Sequence, residues 1–281
     1  MQHWMMHTVR FQPPTTILEL DTPDYERDPW LTDDELTIYF SAVRSDSLPM
    51  YQQDIYTANR SSTSDPFGPA VKFSGASTDT GAEGKMSITG DGTQLFVASN
   101  LAGNGSKGGT DIWFSMKGGA GWGALGQGKS AAVNDAGEQL DPVVTPDGSS
   151  LYFAPSNGVP QQLFVAHRAD ETKNFDAGTE LTELADAGGT GTADPAISAD
   201  QKVILFTSGR LGTSGGNDLW YATRNAVTDA FGAPALVPDV NSIDYEGDAY
   251  LSHDGCRVYF SSTRNNPGVG DWDLFVAQQQ L

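Results

Sequence analysis

The sequence is poor in cysteine and in basic residues, and it has no long apolar segment. Cys256 is the only cysteine among the 281 residues, which excludes an intrachain disulfide. A run of about 18 apolar residues, as a membrane-spanning helix requires, is absent. The 16 Lys and Arg are outnumbered by 36 Asp and Glu, so the net charge is −20. Because nucleic acids and anionic lipids are bound by basic surfaces, we expect neither as a partner, and we expect no membrane insertion.

The chain is rich in turn-forming residues, and its beginning carries no visible export signal. It contains 32 Gly and 15 Pro, and its hydrophobic fraction of 38% is sufficient for a core. Residues 1–14, MQHWMMHTVRFQPP, lack a basic segment followed by an apolar one, so no signal peptide is visible. The composition therefore predicts a globular, turn-rich domain.

One short apolar segment recurs five times along the chain. It reads LTIYFSAVR at 36–44, TQLFVASN at 93–100 and SLYFAPSN at 150–157, and then VILFTSGR at 203–210 and RVYFSSTR at 257–264. The shared phenylalanine returns at intervals of 53–57 residues. A regular period of this length is typical of propellers and other repeat architectures.

Each repeat contains four short alternating or apolar segments, which predict four antiparallel strands. Asp-Gly pairs separate the first strand from the second in three repeats, and such pairs accept the positive φ of tight hairpin turns. Five units of this kind predict an all-β fold, a five-bladed β-propeller that forms one domain over residues 1–281. We expect the blades to span approximately residues 24–75, 81–131, 137–185, 191–240 and 244–281.

The last repeat ends after its third strand, and an unmatched segment precedes the first repeat. That segment is FQPPTTILEL, residues 11–20. Its Phe11 stands at the position that the other repeats fill with Phe67, Trp122, Phe175 and Phe231. We therefore predict that residues 11–20 pair with the C-terminal blade and close the ring, which removes two exposed sheet edges.

Three of these stretches resemble a known repeat. DPVVTPDGSSLYF (141–153), DPAISADQKVILFTSGR (194–210) and YEGDAYLSHDGCRVYFSSTR (245–264) are similar to the WD40-like β-propeller repeat of TolB-type proteins. The resemblance extends over residues 11–281 and implies a propeller of bacterial, extracytoplasmic type. Proteins with this repeat include periplasmic TolB, which contacts lipoprotein partners, and certain polysaccharide lyases. The motifs of the five-bladed, arabinanase-like glycosidases are absent from the sequence.

A basic residue, a glycine-rich loop and an acid recur between the second and third strands. In TSGRLGTSGGNDLWYATR, residues 207–224, Arg210 ends one strand and Asp218 starts the next. We predict a charge-assisted pair between them across the base of the loop, with a scaffolding role. The same pairing is predicted for Arg44 with Asp54 and for Arg264 with Asp273.

Propeller geometry distributes the connections over two faces. The first-to-second and third-to-fourth connections share one face, which we name the turn face. The remaining connections form the loop face, and its second-to-third loops are long and varied at 45–53, 101–110, 211–217 and 265–272. Because variable loops on a rigid scaffold often carry binding sites, we predict a ligand site on the loop face, at the mouth of the central channel.

The innermost strands place one polar residue of each blade at the channel. These residues are Asp28, Lys85, Asp141, Asp194 and Asp248, with Glu26, Glu83 and Glu246 two positions earlier. Converging carboxylates repel each other, so they favour a bound cation, bound water or raised pKa values. Ca²⁺ in the channel, held by Asp28, Asp141, Asp194 and Asp248, is the metal that this set of oxygen ligands suggests. Lys85 could supply the counter-charge instead, and a recurring Asp could equally cap backbone amides in each blade.

Aromatic residues near the channel or the loop face complete the candidate site. Trp30, Tyr250 and Trp272 could stack on a sugar ring. The full predicted ligand-binding set is Glu26, Asp28, Trp30, Lys85, Asp141, Asp194, Glu246, Asp248 and Tyr250.

The sequence shows no nucleophile elbow and no phosphate-binding loop. We therefore predict a non-catalytic binding propeller, monomeric and extracytoplasmic, with a protein or glycan ligand. The alternative is a carbohydrate-active hydrolase or lyase, with two of Asp28, Asp141 and Asp248 as acid and base about 5–10 Å apart. A third interpretation is a purely structural surface module.

Overall fold

The computed structural model describes residues 1–44, 52–103, 105–156, 160–264 and 272–280, and it is a five-bladed β-propeller. Each blade is a four-stranded antiparallel sheet. The chain begins with helix α1 (Gln2–Met5) and strand β1 (Thr15–Thr16). The first two blades contain β2 (Tyr25–Leu31), β3 (Thr37–Val43), β4 (Gln53–Asn59) and β5 (Val71–Lys72), then β6 (Glu83–Ile88), β7 (Gln94–Ser99), β8 (Asp111–Gly118) and β9 (Gly121–Trp122).

The remaining blades follow the same order. Two 3₁₀ helices, Gly128–Ser130 and Thr182–Leu184, lie in the connections that lead to blades three and four. The strands of blades three to five are β10 (Glu138–Val144), β11 (Ser150–Ser156), β12 (Phe164–His167), β13 (Thr179–Glu180), β14 (Ala193–Ile197), β15 (Val203–Ser208), β16 (Asp218–Thr223), β17 (Ala235–Leu236), β18 (Glu246–Leu251), β19 (Arg257–Ser262) and β20 (Asp273–Gln278).

The recurring apolar segment forms the second strand of every blade, and its phenylalanine lies in the core. Because side chains alternate across a strand, this residue points between neighbouring sheets in each repeat. The five residues are 0–2% exposed: Phe40, Phe96, Phe153, Phe206 and Phe260. The core therefore consists of clusters between successive blades, which hold the sheets in a ring.

The first strands of four blades contain a β-bulge opposite this phenylalanine. In blade one the register passes from Arg27↔Ser41 to Trp30↔Tyr39, so two residues oppose one. The first residue of the bulge has a left-handed backbone, which Asp adopts more readily than most residues. It is Asp28 (φ 57°), Asp141 (φ 57°), Asp194 (φ 51°) and Asp248 (φ 54°). In blade two Lys85 lies in a bulge without this conformation.

The N-terminal segment closes the ring, as the sequence predicted. Strand β1 pairs with β20 through Thr15↔Val276 and Thr16↔Phe275. Backbone hydrogen bonds extend this pairing from Arg10, whose carbonyl accepts from Gln280, to Ile17, whose amide donates to Leu274. The edge of the last blade is thereby covered by the beginning of the chain.

Residues before the closing strand also belong to the folded core. Trp4 of α1 is fully buried, and its indole N–H donates to the carbonyl of Gly255 over 2.9 Å. Its ring packs against Tyr221 and Phe11, with centroid distances of 5.0 and 5.6 Å. The segment thus joins blades four and five at the turn face. None of the helices in the described ranges is long and apolar enough to span a membrane.

Candidate functional site

A pocket of about 340 Å³ opens on the turn face, around the axis of the ring. Its rim comes from the first-to-second turns of all five blades, for example Asp33, Pro146 and His253. The volume lies within the range of small-molecule sites, which begins near ~300 Å³. Its floor is aliphatic and comes from the first strands: Ile88, Val143, Val144, Ala196, Ile197, Ala249 and Leu251.

This position differs from the site that the sequence suggested. The prediction placed the ligand at the loop face, whereas the pocket opens at the turn face. Residues 45–51 and 265–271 of two loop-face loops lie outside the described residues. A site on the loop face therefore stays a prediction. Of the predicted ligand-binding residues, three line the turn-face pocket: Trp30, Lys85 and Tyr250.

One side of the pocket is formed by a row of aromatic side chains, which we call the aromatic row. Tyr250 near the axis lies 6.2 Å from Trp30, and Trp30 lies 5.7 Å from Tyr39. Phe73 lies 4.9 Å from Tyr39 and 6.4 Å from Trp122. All five rings are partly exposed, and all except Phe73 line the pocket. The row combines apolar ring faces with polar edges.

The aromatic row also carries four polar groups at the edges of its rings. The indole N–H groups of Trp30 and Trp122 and the hydroxyls of Tyr39 and Tyr250 make no hydrogen bond to a residue that the structure describes. Large aromatic side chains with polar tips normally find a partner when they are packed in a protein. These four groups are therefore available to a ligand that offers hydrogen-bond acceptors.

Two lysines bring positive charge to the pocket at different depths. Lys85 is only 2% exposed, and its ammonium group donates to the carbonyl of Pro195 across the channel, over 3.0 Å. It forms part of the pocket floor. Lys117 is exposed at the outer end, where its Nζ lies 5.6 Å from the centroid of the Trp122 ring. The rim also carries acids, since Asp33 faces the imidazole of His253 at 3.4 Å.

Beneath the floor, the four bulge aspartates meet in the channel with Arg27 and Lys85. Burial and the nearby Asp248 raise the pKa of Asp28 to about 7. Burial acts to raise the pKa of Asp248 as well, but the guanidinium of Arg27 (2.9 Å) and the ammonium of Lys85 lower it to about 2. Asp28 hydrogen-bonds Asp248 and accepts from the hydroxyl of Ser41 over 2.5 Å. Below about pH 7 the pair therefore holds one proton, which Asp28 donates to Asp248.

Asp141 and Asp194 occupy the other side of the channel and are partly exposed. Burial raises the pKa of both groups. The charge of Asp194 raises the pKa of Asp141 further, and the charge of Asp248 raises the pKa of Asp194. In the described ranges, three ligand oxygens come within 4.8 Å of one another only at Asp21, Glu26 and Asp273. No three bulge aspartates converge in this way, so the observed geometry offers a channel cation two of them at most. Ca²⁺ in the channel stays a prediction.

The glutamates that precede the bulges hold the loops that enter the first strands. Glu26 accepts from the amide and hydroxyl of Thr22, Glu83 from those of Thr78, and Glu246 from those of Ser242. All three glutamates are 0% exposed. Burial raises the pKa of Glu26 and of Glu83 to about 7. Their oxygens are thus committed to the scaffold at the loop face.

The predicted pair of Arg210 with Asp218 was wrong. Arg210 donates from Nη2 to the carbonyl of Leu184 over 2.6 Å and stacks over Phe206. Asp218 accepts instead from the amide of Ser214, which closes the glycine-rich loop over 2.6 Å.

The matching arginines of blades one and five form ion pairs with the buried glutamates. The Arg44–Glu26 distance is 3.5 Å, and the Arg264–Glu246 distance is 3.0 Å. Asp54 pairs with Lys72 at 2.9 Å. Blade four has Thr192 at the position of the glutamate, so Arg210 there turns to a backbone carbonyl. The glycine-rich stretch is a scaffold, but its arginine and aspartate bind other groups instead of each other.

Sequence reasoning missed Tyr39, Lys117 and Trp122 as candidate site residues. In the sequence, Trp122 stands only as the counterpart of Phe11 in the fourth segment of its repeat. The sequence nevertheless marks Trp122 as different, because the other repeats have the smaller Phe at this position. Those phenylalanines are 1–5% exposed: Phe11, Phe67, Phe175 and Phe231. The larger indole does not enter the core, and it lies half-buried at the pocket instead.

No protein-family model and no curated protein matches the sequence. Solved structures match through the fold. A putative TolB from Agrobacterium tumefaciens shows 15% identity and a TM-score of 0.52, covering 95% of this chain and 86% of its own. The chain spans 56% of a TolB from Acinetobacter baumannii, at 18% identity, 93% coverage of this chain and a TM-score of 0.49. At 15% identity the Agrobacterium match shows a shared propeller fold.

Glycoside hydrolases also share the fold. An α-L-arabinofuranosidase from Lactobacillus brevis shows 16% identity and a TM-score of 0.60, with coverage of 94% of either chain. At such identities the comparisons show a common propeller architecture. TolB proteins and glycoside hydrolases occur together among the matches, so the chemistry must be argued from the site itself.

Proposed function

We propose that this propeller binds a glycan in the turn-face pocket without cleaving it. The observation that carries the proposal is the aromatic row, whose rings are partly exposed while its indole N–H groups and hydroxyls make no hydrogen bond within the described ranges. A sugar ring presents an apolar face to an aromatic ring and hydroxyl oxygens to donors at its edge. The fold is also that of an α-L-arabinofuranosidase, which acts on a sugar substrate.

The test is thermal unfolding with trisaccharides of arabinan, xylan, cellulose, chitin and polygalacturonate. A ligand that binds only the folded protein stabilises it by about 2.7 kcal/mol at one hundred times its Kd. We expect one of these sugars to raise the Tm, and Trp30→Ala to abolish that rise. Tyr250→Phe removes only a hydroxyl and should reduce the rise while the fold is retained.

Tyr245→Ala is the matched control, because Tyr245 is an aromatic residue 53% exposed at the loop face. It should leave the ligand-induced rise in Tm unchanged. Loss of the rise in Tyr245→Ala but not in Trp30→Ala would move the site to the loop face. A Tm that no trisaccharide changes would reject glycan binding.

A glycoside hydrolase is the second candidate, and the pKa difference between Asp28 and Asp248 favours it. One carboxyl has a pKa of about 7 and the other of about 2, which is the division that an acid and a base require. Their access and spacing argue against it. They are 6% and 1% exposed and hydrogen-bonded to each other, whereas glycosidase carboxylates stand about 5 Å or more apart.

Product analysis separates the two candidates. The same trisaccharides are incubated with the protein and examined for shorter sugars by chromatography. We expect none. Products that disappear in Asp28→Asn would establish the hydrolase, because the amide cannot exchange the proton that the carboxyl carries.

We also propose that the chain is a monomer located outside the cytoplasm. The support is the TolB-type repeat in the sequence and the closed ring, in which β1 covers the outer edge of β20. Light scattering of the purified protein and fractionation of cells that express it test the two parts separately.

A further inference from the structure

The turn-face pocket is elongated, and its two ends belong to different parts of the ring. The inner end lies at the axis, where Ala249 and Tyr250 of β18 and Val143 of β10 line it. The outer end is lined by Lys117 of β8 and by Trp122 of β9, the outermost strand of blade two. Three strand spacings separate the first from the fourth strand of a blade, a distance of about 14 Å. A single sugar ring is too short to contact both ends.

The aromatic row follows this long dimension. Successive ring centroids from Tyr250 to Trp122 are 4.9–6.4 Å apart, a step comparable with the length of one sugar residue. The row runs through Trp30 and Tyr39 along the junction of blades one and two. Its rings therefore offer stacking positions that follow one another from the inner end of the pocket to the outer end.

The outer end is held in place by specific packing. The Trp122 indole rests on Phe73 and on Gly75, where a Cβ would lie 2.6 Å from its Cδ1. Lys117 pairs with Trp122 in the β8–β9 hairpin and places its ammonium over the indole. Glycine at position 75 therefore makes the space in which the indole can lie flat. The equivalent aromatic residues of the other blades are buried and cannot serve in this way.

We propose that the site binds the interior of a linear oligosaccharide, with an inner subsite at Tyr250 and Trp30 and an outer subsite at Trp122 and Lys117. This inference rests on the proposed function and specifies its ligand as a chain of several sugar units. The inner subsite holds one unit above the aliphatic floor. The chain then extends along the aromatic row towards the rim of blade two.

The experiment is calorimetric titration with the mono- to pentasaccharides of arabinan, xylan, cellulose, chitin and polygalacturonate. In the family that binds, affinity should increase with chain length until the outer subsite is filled and then level off. Trp122→Ala should lower the affinity for the pentasaccharide about tenfold, the scale on which a truncated aromatic anchor weakens a complex. It should leave the affinity for the disaccharide within about twofold, because a disaccharide in the inner subsite does not reach Trp122.

Lys117→Gln is the second variant, because Lys117 is exposed and its loss should not disturb folding. This variant should also lower the affinity for the pentasaccharide more than that for the disaccharide. Tyr245→Ala should change neither of these affinities. Equal affinity for all chain lengths, or equal losses for disaccharide and pentasaccharide in Trp122→Ala, would overturn the extended site and leave glycan binding intact. Absence of binding by every sugar would reject glycan binding itself.

Discussion

The four bulge aspartates serve two purposes at once at the scale of single residues. Each has a left-handed backbone with φ between 51° and 57°, and each carboxyl points into the channel. The backbone explains why Asp recurs at this position, because Asp tolerates the left-handed region better than most side chains. The described hydrogen bonds of Asp28 and Asp248 go to the side chains of Ser41 and Arg27 rather than to backbone amides, whose capping the sequence left open as an alternative.

Substitutions of Asp194 should separate backbone from side chain. Both Asp194→Ala and Asp194→Gly remove the carboxyl, but alanine in the left-handed region is strained whereas glycine is not. We expect Asp194→Gly to be more stable than Asp194→Ala by about 1 kcal/mol, measured by urea unfolding. Equal stability, or a more stable alanine variant, would show that the bulge does not impose this conformation.

At the scale of elements, the two ends of the chain complete one blade. Strand β1 supplies the fourth strand of the last sheet, and α1 adds Trp4 to the core between blades four and five. Helix α1 has only four residues, too few to be stable alone in water. Its conformation is therefore maintained by the burial of Trp4 and by the hydrogen bond to Gly255.

Removal of this indole should be costly. Trp4→Ala leaves a cavity and an unsatisfied carbonyl, and large-to-small changes of this kind cost about 3–5 kcal/mol. Trp4→Phe keeps most of the volume and should cost less. The free energy of unfolding in urea measures both. A loss below about 1 kcal/mol in Trp4→Ala would mean that the segment only rests on the propeller.

At the scale of the whole molecule, several buried carboxyls couple stability to pH. Asp28, Glu26 and Glu83 have pKa values near 7, raised mainly by burial from ordinary values of 3.8–4.5. A raised pKa in the folded state means that the folded protein binds the proton more tightly. The stabilisation is complete below about pH 4 and is lost as the pH rises through 7. The pKa of Asp248 is lowered to about 2, so its stabilisation of the folded state is present above about pH 4 and is lost only as the pH falls towards 2.

The Tm should therefore fall between pH 5 and pH 8. For a chain of this size each kcal/mol changes the Tm by about 2–4 °C. Asp28→Asn keeps the left-handed backbone, accepts from Ser41 and donates to Asp248 at every pH. It should therefore reduce the slope by the contribution of Asp28, while Glu26 and Glu83 keep theirs. Asp79→Asn, at an exposed carboxyl, is the control and should retain the full slope. A Tm that rises from pH 5 to pH 8 would contradict the raised pKa values.

The architecture could be predicted from the sequence because the same pattern of apolar segments and turns recurs five times along the chain. The phenylalanine period, the Asp-Gly turns and the unmatched segment at 11–20 predicted the propeller and its closure, and both are confirmed. The channel residues followed from their common register in the first strands. Their role as a ligand site, the single-domain organisation and the blade limits stay predictions.

The partners of individual side chains could not be predicted in the same way. Arg44 and Arg264 turn to glutamates of the first strand rather than to aspartates of the third, because strand pairing brings those glutamates closer. Trp122 turns to the pocket because Gly75, in another blade, leaves room beneath it. Each of these contacts joins residues that lie in different strands or blades.

The sequence by itself determined the fold class, the number of blades and the way the ring closes, since these depend on local periodicity and on a count of strands. The tertiary structure alone decided which face carries the pocket, how the bulge aspartates share charge with Arg27 and Lys85, and which aromatic rings form a row. These features depend on side-chain directions and on distances of a few ångströms between blades, which the spacing of residues along the chain does not specify.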